Sequence, residues 1–446
     1  MKKLRLLTAC AMTLLSMPSL VSCDNTLTLT VYNAADYIDE GTDGDGNTIE
    51  GRKGSIAAFE EWYEKETGTP IKVNYQNYST IEEMYTKIEI GQIKPDLVCS
   101  TDYVILKMRD NNMLEPYGFD ENTNLYGSEL QNVNDNLSPY LKKVFKKNGF
   151  SNWAVPYFWG TIGITYNPEV VDEESVKSWN FQWNPLDKEG NLITGRKISI
   201  KDSVRATYFT GVMRVYHDEL MSYLEQYKNG TLDADTYNSK VSEVFNRSDA
   251  ETVNKVKKEL EKLDGLVQLE VDDGKNEMIK GNLVANLAWS GDAVYAMNGG
   301  EPELNLKYYV PEEGSDMWLD AWSMCKGANV EASKAFVNFF SSPEIAANNM
   351  EATGYTSPLS CDSIWNLVKD MYDAGEDSES NDVVDLSYFF GENHFINIPK
   401  SERGRQFDTQ YPDEDTLARC VIQRDFGDEG KRLVDNMWTD FKTSLL

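Results

Sequence analysis

Histidine is nearly absent from this chain: His217 and His394 are the two among 446 residues. That leaves little for a histidine-built zinc site or for catalysis turning on an imidazole. Cysteine is sparse, six in all, and Cys10 and Cys23 fall close to the start. Cys99, Cys325, Cys361 and Cys420 show no close pairing and no metal-ligand spacing, so their pairing stays open. Basic residues number 43 against 73 acidic ones, giving a net charge of −30. So acidic a chain repels phosphate, which argues against nucleic acid as partner, and it concentrates small cations around itself. Beyond the first twenty or so residues no apolar run is long enough to span a bilayer. No phosphate-cradling glycine loop, no metal cluster and no nucleophile beside a base is present, and nothing calls for a cofactor.

The start of the chain says where it works. Lys2, Lys3 and Arg5 precede a mostly apolar stretch, Leu6 to Leu20, of signal-peptide length. It ends in Leu20-Val21-Ser22-Cys23, an order that resembles a bacterial lipoprotein box. The expectation is a leader over residues 1–22, lipid on Cys23, and a periplasmic domain tethered to a bacterial membrane by lipid alone. About 424 residues then remain, enough for two lobes with cores of their own. They are more acidic than the whole, because the leader carries three basic side chains and no acidic ones.

The mature part alternates strands and helices. Leu27–Asn33, Ile71–Tyr75 and Asp96–Cys99 read as strands. Helices follow from a Ser55 cap through Thr67, with Gly68 as its stop, from a Ser79/Glu82 capping box to Gly91, and from Tyr103 to Asn111. This order predicts a mostly parallel sheet whose ligands sit at the carboxyl ends of its strands. Asn33-Ala34-Ala35-Asp36-Tyr37 and Ser100-Thr101-Asp102-Tyr103 both leave such ends and face one crevice. A second set comprises strands over 161–166, 197–200, 283–289 and 306–310. Its helices run over 205–227, 250–263 and 334–349, with one opening near Asp292. Residues 41–54 read as a loop insertion and 373–382 as a solvated acidic loop. Two α/β lobes enclosing a ligand are the natural architecture.

Two short stretches carry the chemistry. Trp289-Ser290-Gly291-Asp292 and Trp318-Leu319-Asp320 each put an indole within three residues of a carboxylate. Carboxylates neutralise alkylammonium ions, and aromatic faces hold their charge and methylenes. A ligand with two ammonium ends on an apolar spacer needs this combination twice. Taken one at a time, the Trp residues could be core, Asp292 a helix cap, Asp36 a turn residue and Tyr355 a packing residue after Gly354.

In order along the chain stand Tyr32-Asn33-x-x-Asp36-Tyr37, Lys107-Met108-Arg109, Val155-Pro156-Tyr157-Phe158-Trp159-Gly160, Trp289-x-Gly291-Asp292, Trp318-x-Asp320, Gly354-Tyr355-x-x-Pro358 and Tyr411-Pro412-Asp413 followed by Gln423. This set resembles the spermidine/putrescine-binding proteins that feed bacterial ABC transporters. The resemblance implies an α/β, two-lobed periplasmic-binding-protein fold of type II, each lobe a mixed, mostly parallel sheet flanked by helices. It places crossovers near Trp159, Asp320 and Cys361. One lobe is then 27–159 plus 320–361 and the other 160–319 plus 362–446, with the ligand cleft between them. It implies a non-catalytic monomer that gives its ligand to an ABC transporter permease.

The resemblance also implies roles. Asp320 takes an amine of a polyamine ligand and Trp318 packs on the adjacent methylenes. Trp289 and Tyr37 wall the channel, Asp292 matches a carboxylate of the putrescine-binding branch, and Asp36 holds an amine or its water. Tyr355 and Gln423 add hydrogen bonds, and Asp102 lies on the segment that reaches the crevice. The chain departs from the family at Ala34, where tryptophan is usual, and at Ser203 and Ala206, where the spermidine-binding branch has two acids. These changes favour a diamine such as putrescine over spermidine, or an altered cation. Three other readings stay open: the same fold with another cationic or neutral solute, a polyamine-sensing lipoprotein, and, furthest from the residues, an envelope hydrolase using two carboxylates.

Overall fold

Two half-sheets are built on the two ends of one strand, Val155–Tyr166, whose twelve residues are all buried. The computed structural model describes residues 26–42, 46–271, 273–299, 304–375 and 378–445. The leader and Cys23 lie outside the described residues. In the first half, Leu27–Asn33 pairs in parallel with Ile71–Asn77 and Leu97–Thr101. Ser315–Cys325 then runs antiparallel between Leu97–Thr101 and the first residues of Val155–Tyr166. In the second half, the later residues of Val155–Tyr166 pair antiparallel with Ala285–Trp289. That strand lies parallel to Ile198–Lys201, which is parallel to Val267–Glu270. Helices cover the faces, as parallel pairing requires. Ser55–Thr67 buries Phe59 and Tyr63 on the first lobe, and Val204–Val215 is buried along most of its length on the second.

Val155–Tyr166 and Ser315–Cys325 therefore both pass from lobe to lobe, and they cross where Trp159 faces Leu319 and Phe158 faces Asp320. Their register slips between Asp320 and Ala321, which oppose Phe158 and Pro156 and leave Tyr157 as the extra residue of a bulge. Proline has no N–H to give a ladder, so a bulge is where a strand accommodates Pro156. The Tyr157 hydroxyl donates to the Tyr37 carbonyl at 2.9 Å and fixes the loop after the first strand.

Several elements differ from expectation for local reasons. Gly54, not Ser55, sits at the N-cap of the first helix; the Ser55 hydroxyl accepts from Asn349 Nδ2 at 3.0 Å. Thr80, not Ser79, caps Ile81–Glu89 by accepting from the Glu83 N–H. The helix expected over 205–227 is two, Val204–Val215 and His217–Lys228, broken at Tyr216. The one expected over 334–349 is also two, because Pro343 opens a new helix after Val330–Phe340. Part of the acidic 373–382 stretch leads into a strand, Asn381–Asp385, paired with Phe395–Pro399.

The boundary expected near Cys361 is not where the chain changes lobes. Helix Asp362–Tyr372 packs on Pro343–Thr353, and Ser387–Phe390 packs on Pro139–Asn148, all on the first lobe's side. Phe389 stacks on Trp159, and its carbonyl accepts from Ser138 Oγ. The chain reaches the second lobe with Gln406–Gln410, which packs on Ser290–Asn298. Cys99, Cys325, Cys361 and Cys420 are unpaired thiols. No helix among the described residues is long and apolar enough to cross a membrane.

Candidate ligand-binding site

Side chains alternate along a strand, so positions two apart share a face. Asp316, Trp318 and Asp320 therefore present one face of the crossing strand Ser315–Cys325, and all three line a cavity of about 410 Å³ between the lobes. The indole of Trp318 is set by its Nε1, which donates to the Thr161 carbonyl at 3.2 Å. It lies over Gly160, where a Cβ would come within 2.5 Å of its ring and into Ser290 Oγ. Asp320 Oδ2 accepts from the Tyr37 hydroxyl at 2.6 Å. Asp316 Oδ2 accepts from Gln423 Nε2 at 2.8 Å.

Asp316 is buried and Asp320 half-buried, and both have few donors. Burial pushes Asp320 up to about 6, against the pull of hydrogen bonds from Tyr37 and Thr101. Burial likewise lifts Asp316 to about 7, with Gln423 and Arg205 opposing and Asp320 adding to the rise. Asp102 stands beneath them, 1 % exposed. Its Oδ1 accepts from the Tyr103 N–H at 2.6 Å. Burial and then the charge of Asp316 hold its carboxyl well above the usual range. Asp102 Oδ2 and Asp316 Oδ1 are both buried without a hydrogen-bond partner. Two unsatisfied carboxylate oxygens beside a third acid make a pole that calls for a cation.

Aromatic rings stand over this pole. Tyr355 meets Tyr37 edge-on, with ring centres 4.9 Å apart, and Trp318 at 5.5 Å. It follows Gly354, whose φ of 75° ends the helix Pro343–Thr353. The ring also lies on Gly291, where any Cβ would run into it. That contact explains the glycine inside Trp289-Ser290-Gly291-Asp292. Trp289 ends its strand, and Asp292 falls in the first turn of helix Ser290–Asn298, where the helix dipole favours a carboxylate. It is not the cap of that helix, which makes no side-chain cap bond.

Eight of the nine sequence-chosen residues line the cavity: Asp36, Tyr37, Trp289, Asp292, Trp318, Asp320, Tyr355 and Gln423. Asp36 is an exposed residue of the wall, with φ of 53°. Asp102 does not line the cavity; Thr101 and Tyr103 do, with Asp102 behind them. Ala34, Ser203 and Ala206 also line it, so the departures from the family pattern lie on the cavity walls.

Four charged residues escaped sequence reasoning. Asp316 was legible in the two-residue spacing to Trp318. Arg205, in the first turn of helix Val204–Val215, lies with its guanidinium 3.6 Å from the Tyr103 ring centre and 4.1 Å from that of Phe426. Its Nη1 donates to the Arg424 carbonyl at 2.9 Å. Lys201 and Lys275 reach Asp292 from two sides: Lys275 Nζ is 3.0 Å from Oδ1 and Lys201 Nζ 3.4 Å from Oδ2. The Tyr355 hydroxyl also donates to Oδ1 at 3.3 Å. Asp292, expected as an open carboxylate, is therefore already engaged by the chain itself.

The sequence pattern of the bacterial extracellular solute-binding protein family matches residues 56–363. The spermidine/putrescine-binding periplasmic protein of Salmonella typhimurium is 26% identical over 345 residues, which cover 74% of this chain and 85% of that protein. Its counterpart in Escherichia coli is 27% identical over 344 residues, 76% of this chain and 80% of that protein. A crystal structure of a spermidine/putrescine ABC transporter substrate-binding protein from Streptococcus pneumoniae superposes with a TM-score of 0.60. It is 23% identical and covers 94% of this chain and 100% of that one, a likeness that shows the fold. These relatives bind solutes for transport and are not enzymes.

Proposed function

The chain belongs to the bacterial extracellular solute-binding proteins, with their two-lobed type II fold, and from that premise we propose that its ligand is an aliphatic ammonium of the polyamine class: putrescine, spermidine or a derivative of them. The observation that carries this reading is the crossing strand. Asp316 is buried and Asp320 half-buried at the cavity floor, with Asp102 beneath, and Trp318, Tyr37 and Tyr355 stand around them. An ammonium entering there gains carboxylates in a site of low dielectric and π-faces for its methylenes.

Asp320 is the primary acceptor in this reading, Trp318 and Tyr37 the walls, Tyr355 and Trp289 the far aromatic boundary, Gln423 the holder of Asp316, and Asp36 a residue of the entrance. The lobes, 27–159 with 320 to about 405 and 160–319 with the chain from about 406, close on the ligand about the two crossing strands. Lipid on Cys23 would hold the protein on the periplasmic side of a bacterial membrane, where it would give its ligand to an ABC permease. The names of its relatives and the leader-like start support this placement.

Calorimetry on residues 25–446 tests the ligand class, with putrescine, spermidine, cadaverine and their N-acetyl derivatives as titrants. One or more should bind, and Asp320→Asn should weaken that ligand by about 2–5 kcal/mol, roughly 30-fold to several thousand-fold. Full affinity in Asp320→Asn would remove this carboxylate from the site. No binding of any amine would remove the polyamine class.

A further inference from the structure

The cleft has two electrically different ends. At the floor, Asp102, Asp316 and Asp320 are three acids faced by one cation, Arg205, whose guanidinium is stacked between Tyr103 and Phe426. At the other end stands Asp292, 4 % exposed, with lysine ammonium groups against both of its oxygens. Lys201 is the more deeply set. It is 1 % exposed, and its Nζ lies 2.7 Å from Glu270 Oε1 as well as 3.4 Å from Asp292 Oδ2. The same ammonium lies 4.3 Å from the centre of the Trp289 ring. Two carboxylates and two lysines cancel, so this end carries no surplus negative charge.

The indole and carboxylate of Trp289-Ser290-Gly291-Asp292 are the pair that a second ligand ammonium would need. Both are already engaged by the chain's own ammonium groups. A second ligand ammonium would lose its hydration there and meet two lysines instead of an unpaired carboxylate, an unfavourable exchange. Lys201 cannot step aside cheaply, because leaving would strand Glu270, a carboxyl already pushed up by burial and drawn back by Lys201. Ser203 and Ala206, neither able to carry charge, line the same cavity and add no second anionic site.

We propose that Lys201 and Lys275 stand in for one ammonium end of the ligand, so that the cleft selects an aliphatic amine with a single ammonium, seated at Asp320, and a polar, non-cationic far end toward Lys275 and Tyr355. An amide or a carboxylate has that chemistry: each accepts hydrogen bonds from an ammonium and a phenol. This inference rests on the amine site of the proposed function and narrows it.

The test is calorimetry of the wild-type protein with four probes: N-acetylputrescine, 4-aminobutanoate, putrescine and butylamine. N-acetylputrescine or 4-aminobutanoate should bind more tightly than putrescine by tenfold or more, and the tighter of the two identifies amide or carboxylate. Putrescine binding as tightly as both, or more so, overturns the inference while leaving the amine site intact. Butylamine matching the better probe overturns the polar far end. Silence of all four overturns the amine site itself. Lys201→Met, close in volume and without the charge, should raise the affinity for putrescine relative to N-acetylputrescine by tenfold or more. Should that variant not fold, Lys275→Gln, at a partly exposed position, should shift the ratio in the same direction. An unchanged ratio in the folded variant overturns the role of the lysines.

Discussion

At the residue scale, the buried acids make ligand capture depend on protons. Asp320 near 6 and Asp316 near 7 both lie above the ordinary aspartate value of about 3.9. The groups facing them are each other, Asp102, Arg205, Tyr37, Thr101 and Gln423. A ligand ammonium, with a pKa near 10 like lysine's, keeps its charge throughout this range. It needs the carboxylates ionised, so its affinity should hold at about pH 8 and fall by tenfold or more by about pH 5. Binding near pH 6.5 should release protons, visible as a binding enthalpy that changes with the buffer's ionisation enthalpy. Affinity flat across this range would mean that neither carboxylate meets the ligand. The empty protein should behave the opposite way. A raised carboxyl binds more protons folded than unfolded, so its contribution to stability is lost as pH rises from about 4 through about 7. Thermal melts should show lower stability at about pH 8 than at about pH 6, and the ligand should narrow the difference.

At the element scale, the site depends on how closely the crossing strands approach. Gly160 is the position where the Trp318 indole rests on bare backbone. Gly160→Ala should destabilise the protein by about 1–3 kcal/mol through overpacking. It should also displace the indole, so that ligand-induced change in tryptophan fluorescence weakens even where the fold survives; an unchanged melt and an unchanged response would show that the ring has room. This scale also explains what the sequence could reveal. Leu27–Asn33 was readable to the residue, because from Leu29 onward its buried and half-buried positions alternate. Trp318 and Asp320 were readable as a motif. Val155–Tyr166, buried at every position, has no alternation by which to find its first half. The encounter of Lys201 with Asp292 spans 91 positions and depends on Ile198–Lys201 lying beside Ala285–Trp289. Local pattern holds no trace of that pairing. The change of lobe, expected near Cys361, was misplaced for a similar reason. What holds residues 362–390 to the first lobe is tertiary packing such as Phe389 on Trp159.

At the scale of the whole molecule, the two lobes are joined by two crossing strands and by the passage of the chain near Gln406, and are held against each other by side chains at the cleft. The clearest such contact is Arg205, from the second lobe, on the ring of Tyr103, from the first, with Phe426 behind it. The Tyr103 hydroxyl is in turn anchored on Glu82 at 2.6 Å. A desolvated cation–π contact contributes up to about 2 kcal/mol, enough to shift an open–closed balance by roughly 10- to 30-fold. Arg205→Ala should therefore enlarge the average radius of gyration of the ligand-free protein in X-ray scattering, and ligand should restore the compact form. Affinity is the poorer readout. The same substitution unmasks Asp102 and Asp316, which attracts an ammonium while the looser closure releases it, and the two effects oppose. An unchanged scattering profile in the variant would assign the closed arrangement to the crossing strands alone and leave Arg205 a role in the electrostatics of the cleft.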